Sequence, residues 1–381
     1  MDFQLSEEQK MFQAMVRDFA ATEIKPVAAK IDEEGKCPPE ILKKMAALGL
    51  FGITIAEEYG GSGGDYLSMA IAAEEICRAS ASVGTIFLAS LSLACYPIYK
   101  FGNEEQKRRY VVPLAKGQKL ACFALTEPGA GSDAGALETT ATLQGDSYIL
   151  NGTKIFITNG LEAEIAVVFA TVDKTLGHRG ITAFVVEKGT EGFAVGKKEK
   201  KLGICGSSTT ELVFDNCRIA ISNQLGEKGR GLRIALEAID SSRVTVAAQA
   251  VGIAQAAFDA ALEYAKTRQQ FGQFIINFQA IQWMLADIAT QIDAARLLTY
   301  RAAWLKDRGL PFMKEASMAK LFAAETARMA TNNALQIHGG YGYCKDYPVE
   351  RYLRDAKITE IYEGTSEMQR MTIARALMGG G

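Results

Sequence analysis

The sequence predicts an α+β chain in three successive parts: helical, then antiparallel β, then a helical bundle. Three observations predict it. Apolar residues recur at helical spacing to about residue 119; short apolar runs separated by Gly-containing connectors fill about 120–229; and long, alanine-rich helical periods occupy the rest. No alternating βαβ series and no internal repeat is visible, so a doubly wound parallel sheet is not expected. The chain's 381 residues fit two or three domains, placed here at 1–119, 120–229 and 230–381.

The elements follow in order. The opening MDFQLSEEQKMFQ is acidic and amphipathic, without the positive charge of an export or transit signal. Pro38-Pro39 leads into the helical ILKKMAALGLFG, the run GGSGG at 60–64 breaks the pattern, and residues 67–78 resume it. Residues 79–99 are uncharged and long enough to span a bilayer. Their Ser80, Ser82, Thr85, Ser90, Ser92 and Pro97 instead suit a buried helix, so no membrane span is expected. Asn103 then caps a short helix.

From about residue 120 the period changes. TTATLQGDSYILNGTKIFITN reads as strands with turns at Gly145-Asp146 and Asn151-Gly152, followed by strands at 165–172, 181–187 and 210–216. Residues 231–268 hold no proline, and Phe278, Ile281, Leu285, Ile288, Ile292 and Ala295 step by three and four, as packed helices require. A last long helix over 311–337 stops at Gly339-Gly340.

Composition narrows function. With 42 Lys plus Arg against 44 Asp plus Glu, the net charge of −2 lacks the basic excess of a nucleic-acid or anionic-membrane surface. Seven cysteines without a CxxC, an odd number, argue against a disulfide framework and for a reducing, cytoplasmic setting. Two histidines, His178 and His338, cannot build a His-rich metal centre.

Chemistry is concentrated in two segments. FALTEPGAGSDAGA (123–136) sets glycines and hydroxyls where a strand enters a loop, which suits either a plain tight turn or close backbone approach to a flat or phosphorylated ligand. ITEIYEGTSEMQR (358–370) puts Glu363 before Gly364, with Thr365 as a helix N-cap; that glutamate reads either as a solvated loop residue or as a general base.

Together with YGGSGGDYL, NGTKIFITNG, SSRVTVAAQAVGIAQ, TRQQFG, FQAIQ and QIHGGYGY, all in the same order along nearly the whole chain, these segments resemble the acyl-CoA dehydrogenase family. The resemblance implies a β-barrel-like middle domain between two helical ones, FAD held between the β domain and the C-terminal bundle, and a homotetramer, a dimer of dimers. By position, Phe123, Leu125, Thr126, Gly131 and Ser132 resemble the strand and loop along the flavin, with Ser132 toward the pyrophosphate and thioester. Phe156, Ile157 and Thr158 resemble a second flavin-facing strand, with Phe156 where many members carry Trp. Arg268, Gln279, Gln336, Gly339 and Gly340 resemble groups reaching FAD across a subunit interface. Thr365, Ser366 and Glu367 resemble the remaining cofactor turn.

The reaction implied is α,β-dehydrogenation of an acyl-CoA thioester: Glu363 takes the Cα proton, hydride leaves Cβ for flavin N5, and electrons pass to an electron-transferring flavoprotein. Asp240, Arg243, Gly364 and Ser132 resemble substrate-contacting positions. Some members carry the base immediately before the arginine matching Arg243; here that residue is Ser242. The same fold also admits a flavin oxidase or monooxygenase, or a non-catalytic flavin-carrying protein.

Overall fold

A computed structural model describes residues 4–379; the first three and last two positions, at the outer ends of the first and third expected domains, lie outside the described residues. Ser6 starts α1 (Glu7–Phe19) with a reciprocal capping box to Gln9. Helices α2 (Ala28–Glu34), α3 (Pro39–Ala47) and α4 (Tyr66–Ala79) follow. Between α3 and α4 the glycine-rich loop folds so tightly that a Cβ on Gly61 would lie 2.0 Å from the Ile55 carbonyl oxygen. Only glycine fits there. The uncharged segment forms α5 (Ala81–Leu88), a π-helical stretch (Ala89–Cys95) and α6 (Tyr96–Phe101). Most of it is buried against protein, so its polarity is absorbed internally: Ser92 donates to the Leu88 carbonyl and meets Thr245. Asn103 caps α7 (Glu104–Gln106), and α8 (Val112–Ala115) ends the first helical part.

The middle part holds β1 (Ala121–Ala124), β2 (Thr140–Gln144), β3 (Ser147–Thr158), β4 (Ile165–Thr171), β5 (Ile181–Glu187), β6 (Phe193–Lys198), β7 (Thr209–Ala220) and β8 (Gln224–Leu225). They form one sheet in the order β6-β7-β3-β2-β4-β5-β8, with β1 beside β4. The sheet is mixed rather than antiparallel throughout, because β1 runs parallel to β4 and β2 touches β4 in parallel at Thr140 and Thr171. β4 is buried on both faces: Val167 and Phe169 join the core shared with the helices, while Val168 and Ala170 join a second core inside the β part. That is why IAVVFAT reads as a continuous apolar run instead of an alternating one.

One expected turn is corrected. Asn151-Gly152 does not reverse the chain; it sits inside the single long strand β3, at a register shift against β7. Gly152 adopts φ 150° with Thr139 packed where a side chain would be, so the glycine signals close backbone approach, not a hairpin. A second shift, between Lys154 and Ile157, bulges the strand at Phe156. β6 has no counterpart in the sequence reading, since FAVGKK is partly exposed and ends in two lysines.

The C-terminal part is built on α9 (Gly231–Thr267), α10 (Gln279–Asp307) and α11 (Met313–His338), with a small β9–β10 hairpin (Gln269–Gln270 with Gln273–Phe274) between α9 and α10, then α12 (Val349–Ala356) and α13 (Ser366–Leu377). Alanines let these helices approach closely: a Cβ on Gly252 of α9 would sit 2.3 Å from the Glu74 carbonyl oxygen of α4. The contact is fixed by Arg296 of α10, whose guanidinium forks onto the buried Glu74 carboxylate at 2.8 to 3.2 Å.

Candidate active site

Glu363 lies in the short loop between α12 and α13, and both it (φ 53°) and Gly364 (φ 91°) are left-handed. For a glutamate this is a strained backbone that persists only when its surroundings hold it. Here they do. Lys320 Nζ donates to the Gly364 carbonyl at 2.7 Å, Gln369 Nε2 donates to the same oxygen at 2.8 Å, and Thr365 caps α13 by accepting the Met368 N–H.

The Glu363 carboxylate meets the Ser242 hydroxyl, which donates to Oε2. Burial pushes its pKa up, and the Ser242 hydrogen bond, then the charges of Lys320 and Arg243, pull part of that back. Arg243 is itself buried and aimed by Asp240 (2.6 Å) and Ser317 (3.2 Å), while its Nε has no partner among the described residues. Lys320 is pushed down to about 8, chiefly by burial.

Glu363 lines a cavity of about 140 Å³. One wall is mostly apolar: Leu88, Ala89 and Leu93 from the uncharged helical segment and Ile239 and Val246 from α9, with the hydrogen-bonded polar groups of Thr85, Gln249 and Tyr362 among them. The other wall comes from the end of β1 and the bulged end of β3, namely Phe123, Leu125, Thr126, Phe156, Ile157 and Thr158. Phe156 is left-handed (φ 57°) and 60% exposed, an apolar ring presented to the cavity side of the strand. Beneath this wall the buried Lys154 reaches the Leu125 carbonyl (3.1 Å) and Glu127 (2.7 Å), tying the glycine loop to β3.

The remaining sequence-derived positions fall as follows. Gly131 and Ser132 are exposed beyond β1, and the space over Gly131 is free of protein atoms to 4 Å. Asp240 and Arg243 stand behind the Glu363 loop. Thr365, Ser366 and Glu367 form the start of α13, with the Ser366 hydroxyl buried and unpartnered among the described residues. Arg268, Gly339 and Gly340 line a second cavity of about 460 Å³ with Tyr264, Gln270, His338 and Tyr341. Arg268 lies over the Tyr341 ring, at 5.5 Å from its centre. Gln279 and Gln336 are exposed and do not line that cavity.

These residues fit FAD. The slot between two strand ends offers apolar faces and the Thr126 and Thr158 hydroxyls to a flat ring, the open space over Gly131, Gly339 and Gly340 admits a ligand to the backbone, and the Ser366 hydroxyl lacks a protein partner. Sequence reading missed Gln249, Lys320, Gln369 and the Lys154–Glu127 pair, and took Ser242 only as a missing base. A signal existed on α9, where Ile239, Ser242, Val246 and Gln249 recur at 3-4-3 spacing and so share one helix face.

Family models described as the N-terminal, middle and C-terminal domains of acyl-CoA dehydrogenase match residues 6–118, 122–217 and 229–378. The chain is 52% identical over 374 residues to "Acyl-CoA dehydrogenase, short-chain specific" of Clostridium acetobutylicum, across 98% of this chain and 99% of that one. It is similar, with a TM-score of 0.97 and 47% identity, to butyryl-CoA dehydrogenase from Megasphaera elsdenii, over 99% of this chain and 100% of that one. A chain in the structure "Electron transferring flavoprotein of Acidaminococcus fermentans: Towards a mechanism of flavin-based electron bifurcation" matches with a TM-score of 0.98 and 50% identity, over 99% of this chain and 100% of that one.

Proposed function

Because this chain belongs to the acyl-CoA dehydrogenase family of FAD-dependent oxidoreductases, we propose that Glu363 is the base of its α,β-dehydrogenation, acting on a short acyl-CoA. The observation that carries this is the carboxylate's position: partly buried at the edge of a small apolar cavity, opposite the strand ends that fit a flavin. An acyl chain lying between those walls would meet Glu363 on one side and Phe123, Leu125, Thr126 and residues 156–158 on the other. Bound FAD would supply the acceptor for the hydride that leaves Cβ.

The protein's own contribution is positional and electrostatic. Loss of the Cα proton needs Glu363 ionised, so Lys320, Arg243 and Ser242 offset the burial that disfavours its anion. Thr85, Leu88, Ala89 and Leu93 exclude water from the acyl chain, and among the described residues Glu363 is the carboxylate that lines the cavity. Asp240, Arg243, Gly364 and Ser132 are proposed to contact the thioester and CoA portions.

Phe123, Leu125, Thr126, Gly131, Ser132 and residues 156–158 are proposed to hold FAD with the α13 turn Thr365, Ser366 and Glu367. In this reading Arg268, Gln279, Gln336, Gly339 and Gly340 serve a neighbouring subunit's FAD in a homotetramer of cytoplasmic protein. An electron-transferring flavoprotein is proposed as electron acceptor, a reading favoured by the family and by the similar chain found in a study of such a protein. The domains are proposed at 1–119, 120–229 and 230–381, close to the breaks between the matched family models.

The test is Glu363→Gln, which keeps shape while removing the base. Anaerobic stopped-flow bleaching of the flavin by butyryl-CoA should slow by roughly two to four orders of magnitude with FAD content unchanged. Bleaching within a few-fold of the parent rate removes Glu363 from the mechanism. Butyryl-CoA bleaching the parent no faster than a long-chain acyl-CoA removes the short-chain reading.

A further inference from the structure

We propose that the Ser242 hydroxyl is a two-position partner of Glu363, donating to the carboxylate before the α-proton is taken and accepting from the carboxylic acid afterwards. The inference rests on Glu363 being the base. Its own support is geometric. Ser242 is fully buried on α9, and its Oγ lies within hydrogen-bond reach of two acceptors, Glu363 Oε2 and the Ile239 carbonyl oxygen at 3.0 Å. A serine hydroxyl has one proton and two lone pairs, so it can donate to only one of them at a time. With Glu363 ionised, the proton points at Oε2. Once the substrate's proton sits on Oε2 itself, that new O–H can turn to donate to Ser242 Oγ while the serine's own proton rotates to the Ile239 carbonyl. Oε2 and the Ser242 hydroxyl are then paired with each other in both protonation states without movement of any heavy atom. Thr245 steadies this turn by donating to the Ser242 carbonyl at 2.8 Å.

Other groups facing Glu363 set the background. From α9 these are Arg243, itself paired with Asp240; from α11, Lys320, which also feels the charges of Glu360 and Glu367; from its own loop, Tyr362. Lys320, pushed down to about 8 chiefly by burial, is unaltered by a substitution at Ser242 on α9. A neutral-to-neutral bond is weaker than a bond to an ion, so losing Ser242 costs the anion more than the acid. Ser242 is thus a positioning residue whose loss raises the pKa of the base.

The experiment compares the holoenzyme with Ser242→Ala, a change that favours helix and leaves no large void. Flavin reduction by butyryl-CoA is followed against pH by anaerobic stopped flow, and protonation of Glu363 is followed independently by isotope-edited infrared titration, assigned by difference from Glu363→Gln. The acid limb of the rate profile and the infrared midpoint should both move up by about one pH unit, so that the rate falls about tenfold below the limb and little above it. A rate lowered equally at all pH values, or an unmoved infrared midpoint, overturns the role given to Ser242. If Glu363→Gln still reduces flavin, the base assignment fails instead, and the infrared midpoint in Ser242→Ala still decides the pairing.

Discussion

Lys154→Met should damage the wall of the cavity from beneath. Lys154 is fully buried, and its ammonium donates to the Leu125 carbonyl (3.1 Å) and to Glu127 Oε1 (2.7 Å). Glu127 also accepts the backbone N–H groups of Glu138 (2.6 Å) and Thr139 (3.0 Å), so the pair fastens both ends of the glycine loop to β3. Methionine keeps the length of the stem and deletes the charge. Breaking one side of a buried pair costs about 3 to 5 kcal/mol, because the other charge stays buried; two backbone donors remain on Glu127, which puts the expected loss near about 3 kcal/mol.

The two partners respond oppositely to burial. It outweighs Glu127 and pushes Lys154 down to about 8, whereas on Glu127 the charge and hydrogen bond of Lys154 with the backbone donors outweigh it and hold the carboxyl below its usual range. Rupture of a buried pair is the expensive event, because it leaves one charge without its partner. The assay is thermal unfolding of the parent, Lys154→Met, Glu127→Gln and the double variant, with FAD release recorded in the same scans. The single lysine variant should melt roughly 4 °C lower and release FAD earlier. The double variant should recover part of the loss, since it removes the orphaned charge. A lysine variant melting within about 1 °C of the parent, or strict additivity in the double variant, refutes the reasoning.

Two further outcomes can be checked alongside the Glu363 and Ser242 variants. Asp355 of α12 is buried while accepting the Ile204 N–H, and burial pushes it up to about 7 against the Ile204 hydrogen bond and the charges of Arg351 and Arg354. Its folded value exceeds the unfolded one of about 3.9, so its stabilising contribution is complete below about pH 4 and is lost as pH rises through about 7. Asp355→Asn should flatten the fall in denaturation midpoint across that window, and an unchanged slope counts against it. Arg268→Ala should lower FAD occupancy and weaken the proposed tetramer together, measured by flavin absorbance and sedimentation; full flavin occupancy excludes Arg268 from the cofactor site.

The sequence by itself determined the three-part order of helix, sheet and helix, the caps at Asn103 and Thr365, the stop at Gly339, and the burial of the uncharged segment against protein. Each is written in local pattern: helical spacing, a capping side chain, a glycine past a helix end, hydroxyls in an apolar run. The segments that meet at the cavity were also legible, through the order of their motifs. The tertiary structure decided what depends on partners distant in the chain. Asn151-Gly152 looks like a turn until Thr139 and β7 pack against it and keep β3 running on. The parallel pairing of β1 with β4 joins residues separated by β2 and β3, which no local period encodes. On local sequence alone Glu363 reads first as a solvated loop residue, until Lys320, Gln369, Ser242 and Arg243, drawn from three helices, hold its backbone and offset part of the burial of its carboxylate. A carboxylate's ordinary chemistry is set by its own atoms, but its proton affinity is set by what burial removes and what neighbours return.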